Sequence, residues 1–214
     1  MKQHESKYIP ALSFRVLTPL YDSFFKVTMR EELFKRQLIT EAEIQSGQRV
    51  LDLGCGTGTL TIMIKKAYPS SEVVGIDGDP QILEIARRKA GEAGTSIKFD
   101  EGMAYKLPYS DNSFDRVFSS LVFHHLTAQD KERTLVEIYR VLKPKGEFHL
   151  ADFGQPKGAY AKIVSSLMSR FERVDDNIYG RIPEMFRKAK FSVAKTFELS
   201  TLFGTLAFLR GSKS

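Results

Sequence analysis

The run Val50-Leu51-Asp52-Leu53-Gly54-Cys55-Gly56-Thr57-Gly58 constrains this chain more than any other stretch. A short apolar strand carrying an acid turns through three glycines on alternate positions, and helical spacing resumes from Thr59 to Ala67. Glycine is needed there because the backbone must turn sharply and let a ligand approach with no Cβ in the way. The turn also delivers a helix N-terminus, whose free N–H groups favour a carboxylate or phosphate. In open α/β sheets, ligands sit in this crevice at the carboxyl ends of the strands.

The rest of the chain repeats the alternation. Val73–Ile76 reads as a second strand, Pro80 opens a helix to about Ala93, and Ile97–Phe99 makes a third strand. Phe114–Ser119 is the fourth, followed by a helix from about Asp130 to Leu142, a turn over Lys143–Gly146 and a fifth strand from Glu147 to Asp152. Such alternation with short connections predicts a doubly wound α/β fold, a mostly parallel seven-stranded sheet with helices on both faces. Beyond Gly154 helices are expected over Tyr160–Phe171 and Pro183–Lys190. Ser192–Leu199 and Thr205–Arg210 are too close for a crossover and must form an antiparallel hairpin. Ahead of the core, apolar residues recur at helical spacing from about 19 to 44. The expectation is a single domain over 1–214: a helical lid over 1–45, a cofactor-binding core over 46–153, and acceptor-side helices with a terminal hairpin over 154–214.

Composition narrows the function. Cys55 is the only cysteine, which excludes an intrachain disulfide or a cysteine-cluster metal site and suits a reducing cytosol. No run approaches the roughly 18 apolar residues of a membrane span, and the polar start argues against a secretion signal. The formal net charge of +6 sits outside the middle of the chain. Residues 153–214 hold 11 basic and 5 acidic groups, whereas residues 50–101 hold 6 and 8. A basic surface of this kind suits phosphate, an acidic membrane in peripheral contact, or plain solvent.

Two cofactors compete for the glycine loop. Nicotinamide folds use G-x-G-x-x-G; here the glycines are 54, 56 and 58, and that spacing fails. The D-x-G-x-G-x-G actually present resembles motif I of class I S-adenosylmethionine-dependent methyltransferases. Further matches are Val74-Gly75-Ile76-Asp77, the stretch Leu107–Asp115, His124-His125-Leu126 and the stretch Glu137–Gly146. In that order they are similar to methyltransferases of ubiquinone and menaquinone biosynthesis, over roughly residues 20 to 153.

The resemblance implies S-adenosylmethionine as cofactor and S-adenosylhomocysteine as its product. It implies that Asp77, with Gly78 behind it, holds the ribose, that Asp52 orients the ammonium, and that Gly54, Cys55, Gly56 and Gly58 supply close backbone contacts. Ser119 and Leu121 would run beside the methionine part, and Tyr21 would close over the cofactor. Where relatives show Gly-Asp-Ala for adenine, this chain has Gly102-Met103-Ala104: Met103 would pack on the purine, and the Ala104 N–H would reach a ring nitrogen. His124 and His125 are candidates for a general base or for bracing the loop.

For the acceptor, Ser-Ser-Leu-Val-Phe replaces the Pro-Pro-aromatic loop of nucleic-acid amino-methylating enzymes, and no second cysteine supplies the nucleophile of pyrimidine methylation. Phe, Leu, Ile, Met and Tyr crowd the flanking segments, which predicts a small aromatic or lipophilic acceptor. An RNA-associated methyltransferase or basic binding module is the alternative, and a nicotinamide-dependent dehydrogenase a further one.

Overall fold

The structure, a computed structural model, describes residues 31–168, 174–202 and 204–214. Its sheet has seven strands: β1 (Arg49–Leu53), β2 (Glu72–Asp77), β3 (Lys98–Glu101), β4 (Phe114–Ser120), β5 (Leu142–Phe153), β6 (Ser192–Thr201) and β7 (Gly204–Ser212). They lie in the order β3-β2-β1-β4-β5-β7-β6, parallel from β3 to β5 and antiparallel from there on. Strand order reverses between β1 and β4, so the crevice of a doubly wound sheet opens at their carboxyl ends.

The strands read as apolar runs because both of their faces are covered. Leu51, Leu53, Val117, Phe148 and Leu150 point to one face, where α4 (Ala128–Val141) and α7 (Ile182–Lys188) pack through Leu135, Ile138 and Phe186. Their alternates Val50, Phe118, Ala151 and Phe153 point to the other, against α1 (Glu31–Glu41) and α2 (Thr59–Ala67) through Phe34, Leu38 and Leu60. A smaller cluster joins Cys55, Leu83, Ala86 and Phe99 beneath α3 (Pro80–Glu92). Asp79 starts α3 by accepting from the Gln81 and Ile82 amides ahead of a proline at the first turn.

Several boundaries differ from those expected. The turn over Lys143–Gly146 is a kink inside β5: pairing jumps from Phe114↔Leu142 to Arg116↔Glu147. Lys145 lies there at φ 65°, and Lys213 bonds both Lys145 and Gly146 through the backbone, so the chain bulges without leaving the sheet. A 3-10 turn (Phe123–His125) and a short helix α6 (Asp175–Ile178) were not anticipated. Helix α5 is described over Gly158–Met168, and the rest of the span expected to Phe171 lies outside the described residues, as does the helical stretch expected before Glu31.

Candidate functional site

The glycine loop is built by backbone. Gly54, Gly56 and Gly58 all adopt positive φ, at 68°, 53° and 75°. A Cβ on Gly54 would stand 2.4 Å from Val122 Cγ2, so this glycine lets the β1 and β4 exits close on each other. Nothing lies within 4 Å of a Cβ built on Gly56, which leaves its backbone open to an incoming molecule. Two bonds to the Ile76 carbonyl, from Gly54 N (2.8 Å) and Cys55 N (3.0 Å), fasten the loop to β2. Cys55 is buried, and burial pushes its thiol well above the usual range.

Asp77 completes the cradle. Its Oδ2 accepts from Gly56 N at 2.9 Å and its Oδ1 from Asp79 N at 3.0 Å. The Gly78 amide bonds it as well, so three donors draw on roughly four acceptor sites and capacity for a ligand remains. Burial raises the Asp77 pKa, against the bonds from the Gly56, Asp79 and Gly78 amides.

Asp52 lies beneath the loop rather than on the cavity wall, 1% exposed, and accepts from Thr61 Oγ1 at 2.6 Å. Burial pushes its pKa up to about 6, while the Thr61 bond and the Lys35 ammonium act in the opposite direction. Lys35 is itself buried on α1 and bonded to Glu31 at 2.5 Å, and both residues line the cavity. Neither was singled out in the sequence, where an acid and a base four apart on a helix read as a solvated surface pair.

The cavity is about 330 Å³. Gly54, Cys55, Gly56, Asp77 and Gly78 line one side, with Met103 and Ala104 from the β3 exit. Leu121, Val122 and His125 line it from the β4 exit. Leu121 holds φ 57°, a left-handed conformation that costs an L-residue on the order of 1–2 kcal/mol. Gly58 and Ser119 are not part of the wall. Ser119 is fully buried and donates to the Leu53 carbonyl at 3.1 Å, while its neighbour Ser120 lines the cavity. Tyr21 lies outside the described residues.

The histidine pair divides. His125 lines the cavity; His124 is buried behind it, with ring centroids 4.0 Å apart. His124 Nδ1 bonds Asp152 Oδ1 at 2.9 Å, which sets the proton on Nδ1 against the carboxylate. Asp152 is a hub that no sequence pattern singles out. Its Oδ2 accepts from the Val122 and Phe123 amides (3.1 and 2.8 Å), and its Oδ1 also takes Phe153 N (2.7 Å) and Asn177 Nδ2 (3.2 Å). Burial alone would raise the Asp152 pKa; the charge and bond of His124, with the Phe153 amide, hold it below the ordinary value instead.

A doubly wound sheet with an open glycine cradle at its switch point, and a strand-end carboxylate beside it, defines a nucleoside-binding class of protein. Comparison with known proteins narrows that class. Residues 50–146 match the family model described as methyltransferase domain. A demethylmenaquinone methyltransferase of Deinococcus radiodurans is 39% identical over 145 residues, 67% of this chain and 59% of that enzyme. One of Thermus thermophilus is 37% identical over 160 residues, 73% of this chain and 72% of that enzyme. The chain thus matches about three fifths of the first relative's length and more of the second. A solved SAM-dependent methyltransferase of Methanosarcina mazei shares the fold with a TM-score of 0.68 at 20% identity, over 82% of this chain and 96% of that one. The chain belongs to the class I S-adenosylmethionine-dependent methyltransferases.

Proposed function

We propose that this chain transfers a methyl group from S-adenosylmethionine to a small aromatic or lipophilic acceptor of the quinone-precursor kind, on carbon or oxygen. The observation that carries the reading is Asp77, at the wall of the cavity with acceptor capacity left on its carboxylate, which suits a ribose hydroxyl. The open space over Gly56 suits the same ligand. When bound, S-adenosylmethionine supplies a methyl group already activated on a sulfonium.

What the chain adds is position and exclusion of water. Met103 and Ala104 flank the purine, and Gly78 stands beside the ribose. Asp52 and Glu31 offer negative charge to the cofactor's ammonium, and Lys35 positive charge to its carboxylate. Ser119 holds the β4 exit to β1 so that Leu121 bounds the methionine part. His125, on the cavity wall, takes the acceptor's proton; His124, tied to Asp152, braces that turn. Tyr21 closes the cavity as part of an N-terminal lid, and the 214 residues act as one domain in the cytoplasm. The named acceptor of the relatives, a demethylmenaquinone, supports a lipophilic quinone-like acceptor over RNA.

The test is transfer of radiolabelled methyl to fractionated cell extract. Label in the lipid or metabolite fraction is expected; label in total RNA alone refutes the acceptor. His125→Ala should cost activity that returns at high pH, where the acceptor ionises unaided. His124→Ala should cost activity at every pH together with a lower melting temperature.

A further inference from the structure

Three exposed apolar side chains lie on α5 and at the β6–β7 turn. Ile163, Tyr160 and Leu202 are 71%, 59% and 56% exposed. Tyr160 and Ile163 lie three apart on α5 and so share a face. Tyr160 Oη donates to the Leu202 carbonyl at 2.8 Å, which joins the helix to the β6–β7 turn. Lys157 N reaches Thr205 Oγ1 (3.4 Å), and Gly154 N the Thr205 carbonyl (2.9 Å), fixing the start of α5 against the start of β7.

Topology places this patch. β7 is antiparallel to β5, with Phe153 opposite Leu206, so the β6–β7 turn stands at the carboxyl end of β5. That is the end at which the β1, β2, β3 and β4 exits form the cavity. Isolated exposed apolar residues need no explanation, but joined ones beside a site mark an interaction surface. Their near neighbours carry net positive charge: Lys162 is exposed on the same helix, and Lys157, one turn before Tyr160, shares Glu198 with Lys195. Tyrosine and aliphatic side chains beside lysines suit the boundary between acyl chains and anionic headgroups. Contact there is peripheral, since no helix among the described residues is long and apolar enough to cross a membrane.

We infer that the rim formed by α5 and the β6–β7 turn docks on the surface of an anionic lipid bilayer, through Tyr160, Ile163 and Leu202 with Lys157 and Lys162 around them. The inference rests on the reading of the acceptor as lipophilic: a membrane-borne acceptor would then pass from bilayer to cavity without crossing water.

Sedimentation with phosphatidylcholine vesicles, with and without phosphatidylglycerol, tests it on the whole chain. Binding should appear with phosphatidylglycerol and weaken as salt rises. Lys162→Glu should weaken it about fivefold or more. Ile163→Ser with Leu202→Ser should weaken it more than about tenfold, with circular dichroism and S-adenosylmethionine binding unchanged. Three results overturn the docking: wild type left in the supernatant of anionic vesicles, variants that bind as well as wild type, or a self-associated chain whose partner occupies this face and keeps it from vesicles. Vesicle binding lost only in the patch variants, with no methyl transfer to a quinol, upholds the docking and sinks the acceptor alone.

Discussion

At the carboxyl ends of β1 and β2 the rim is held largely by backbone: Gly54 and Cys55 amides on the Ile76 carbonyl, and Gly56 and Asp79 amides on Asp77. At the ends of β4 and β5 a backbone bond from Leu121 to Ala151 is joined by side chains, chiefly Asp152, with His124 and Asn177 among its donors. The first arrangement depends on conformation that few residues but glycine adopt, and it leaves open backbone for a ligand that is the same across a family. The second depends on the identity of a few side chains. One half of the site is fixed by geometry and the other by chemistry.

Removing Asp152 should have the largest effect. Asp152→Ala strands His124 and several buried donors, and urea denaturation should show stability lower by about 3–5 kcal/mol. Because its folded pKa is depressed, its contribution is present above its unfolded pKa, about 4, and lost as pH falls through the folded value. The gap between wild type and Asp152→Asn should therefore narrow below about pH 4; a gap that holds at every pH would mean the charge is not what holds the turn. Next comes Gly54→Ala, which combines a left-handed alanine with the contact on Val122. A loss of about 2–4 kcal/mol is expected by the same measurement. A smaller loss in Gly54→Ala than in Gly56→Ala would break the account of which glycine is there for closure and which for access.

Asp52 should show the opposite pH sense to Asp152. Its folded pKa of about 6 lies above the ordinary value, so the folded state keeps a proton that the unfolded chain gives up. Stability should fall as pH rises from about 4 to about 6, by on the order of 2–3 kcal/mol, and then level off. Asp52→Asn should flatten that slope in melting curves; an unchanged slope would assign it to another group. The smallest effect expected is on binding: calorimetry on Asp77→Ala should show S-adenosylmethionine affinity lower by more than about tenfold, roughly 1.4 kcal/mol. Unaltered affinity would remove the carboxylate from the cradle.

The two halves were also unequally legible. Val50–Leu53, Val73–Ile76 and Phe114–Ser119 read as strands because a strand covered on both faces is apolar along its length. The glycine spacing marked the loop, since only a tight turn with backbone exposed calls for it. By contrast Asp152 read as the last residue of a strand, and the four residues of α6 are too few to show a period. Lys35 and Glu31 looked like a surface pair, and only the way α1 lies over the sheet buries them. The kink in β5 hid for a similar reason: Lys-Pro-Lys-Gly is turn chemistry, and pairing of Lys145 and Gly146 with the distant Lys213 keeps it in the sheet.

Cys55 gives the cradle one further property. A thiolate on the wall of a cavity that takes an electrophilic methyl donor would be a nucleophile open to alkylation. Burial among Phe99, Leu83 and Ala86, with the negative charges of Asp52 and Asp77 near, keeps the sulfur protonated far beyond neutral pH. The residue can therefore fill the turn with a small soft atom and stay a bystander. Self-inactivation is avoided by the same burial that shapes the loop, and the methyl group is left for the molecule brought to it.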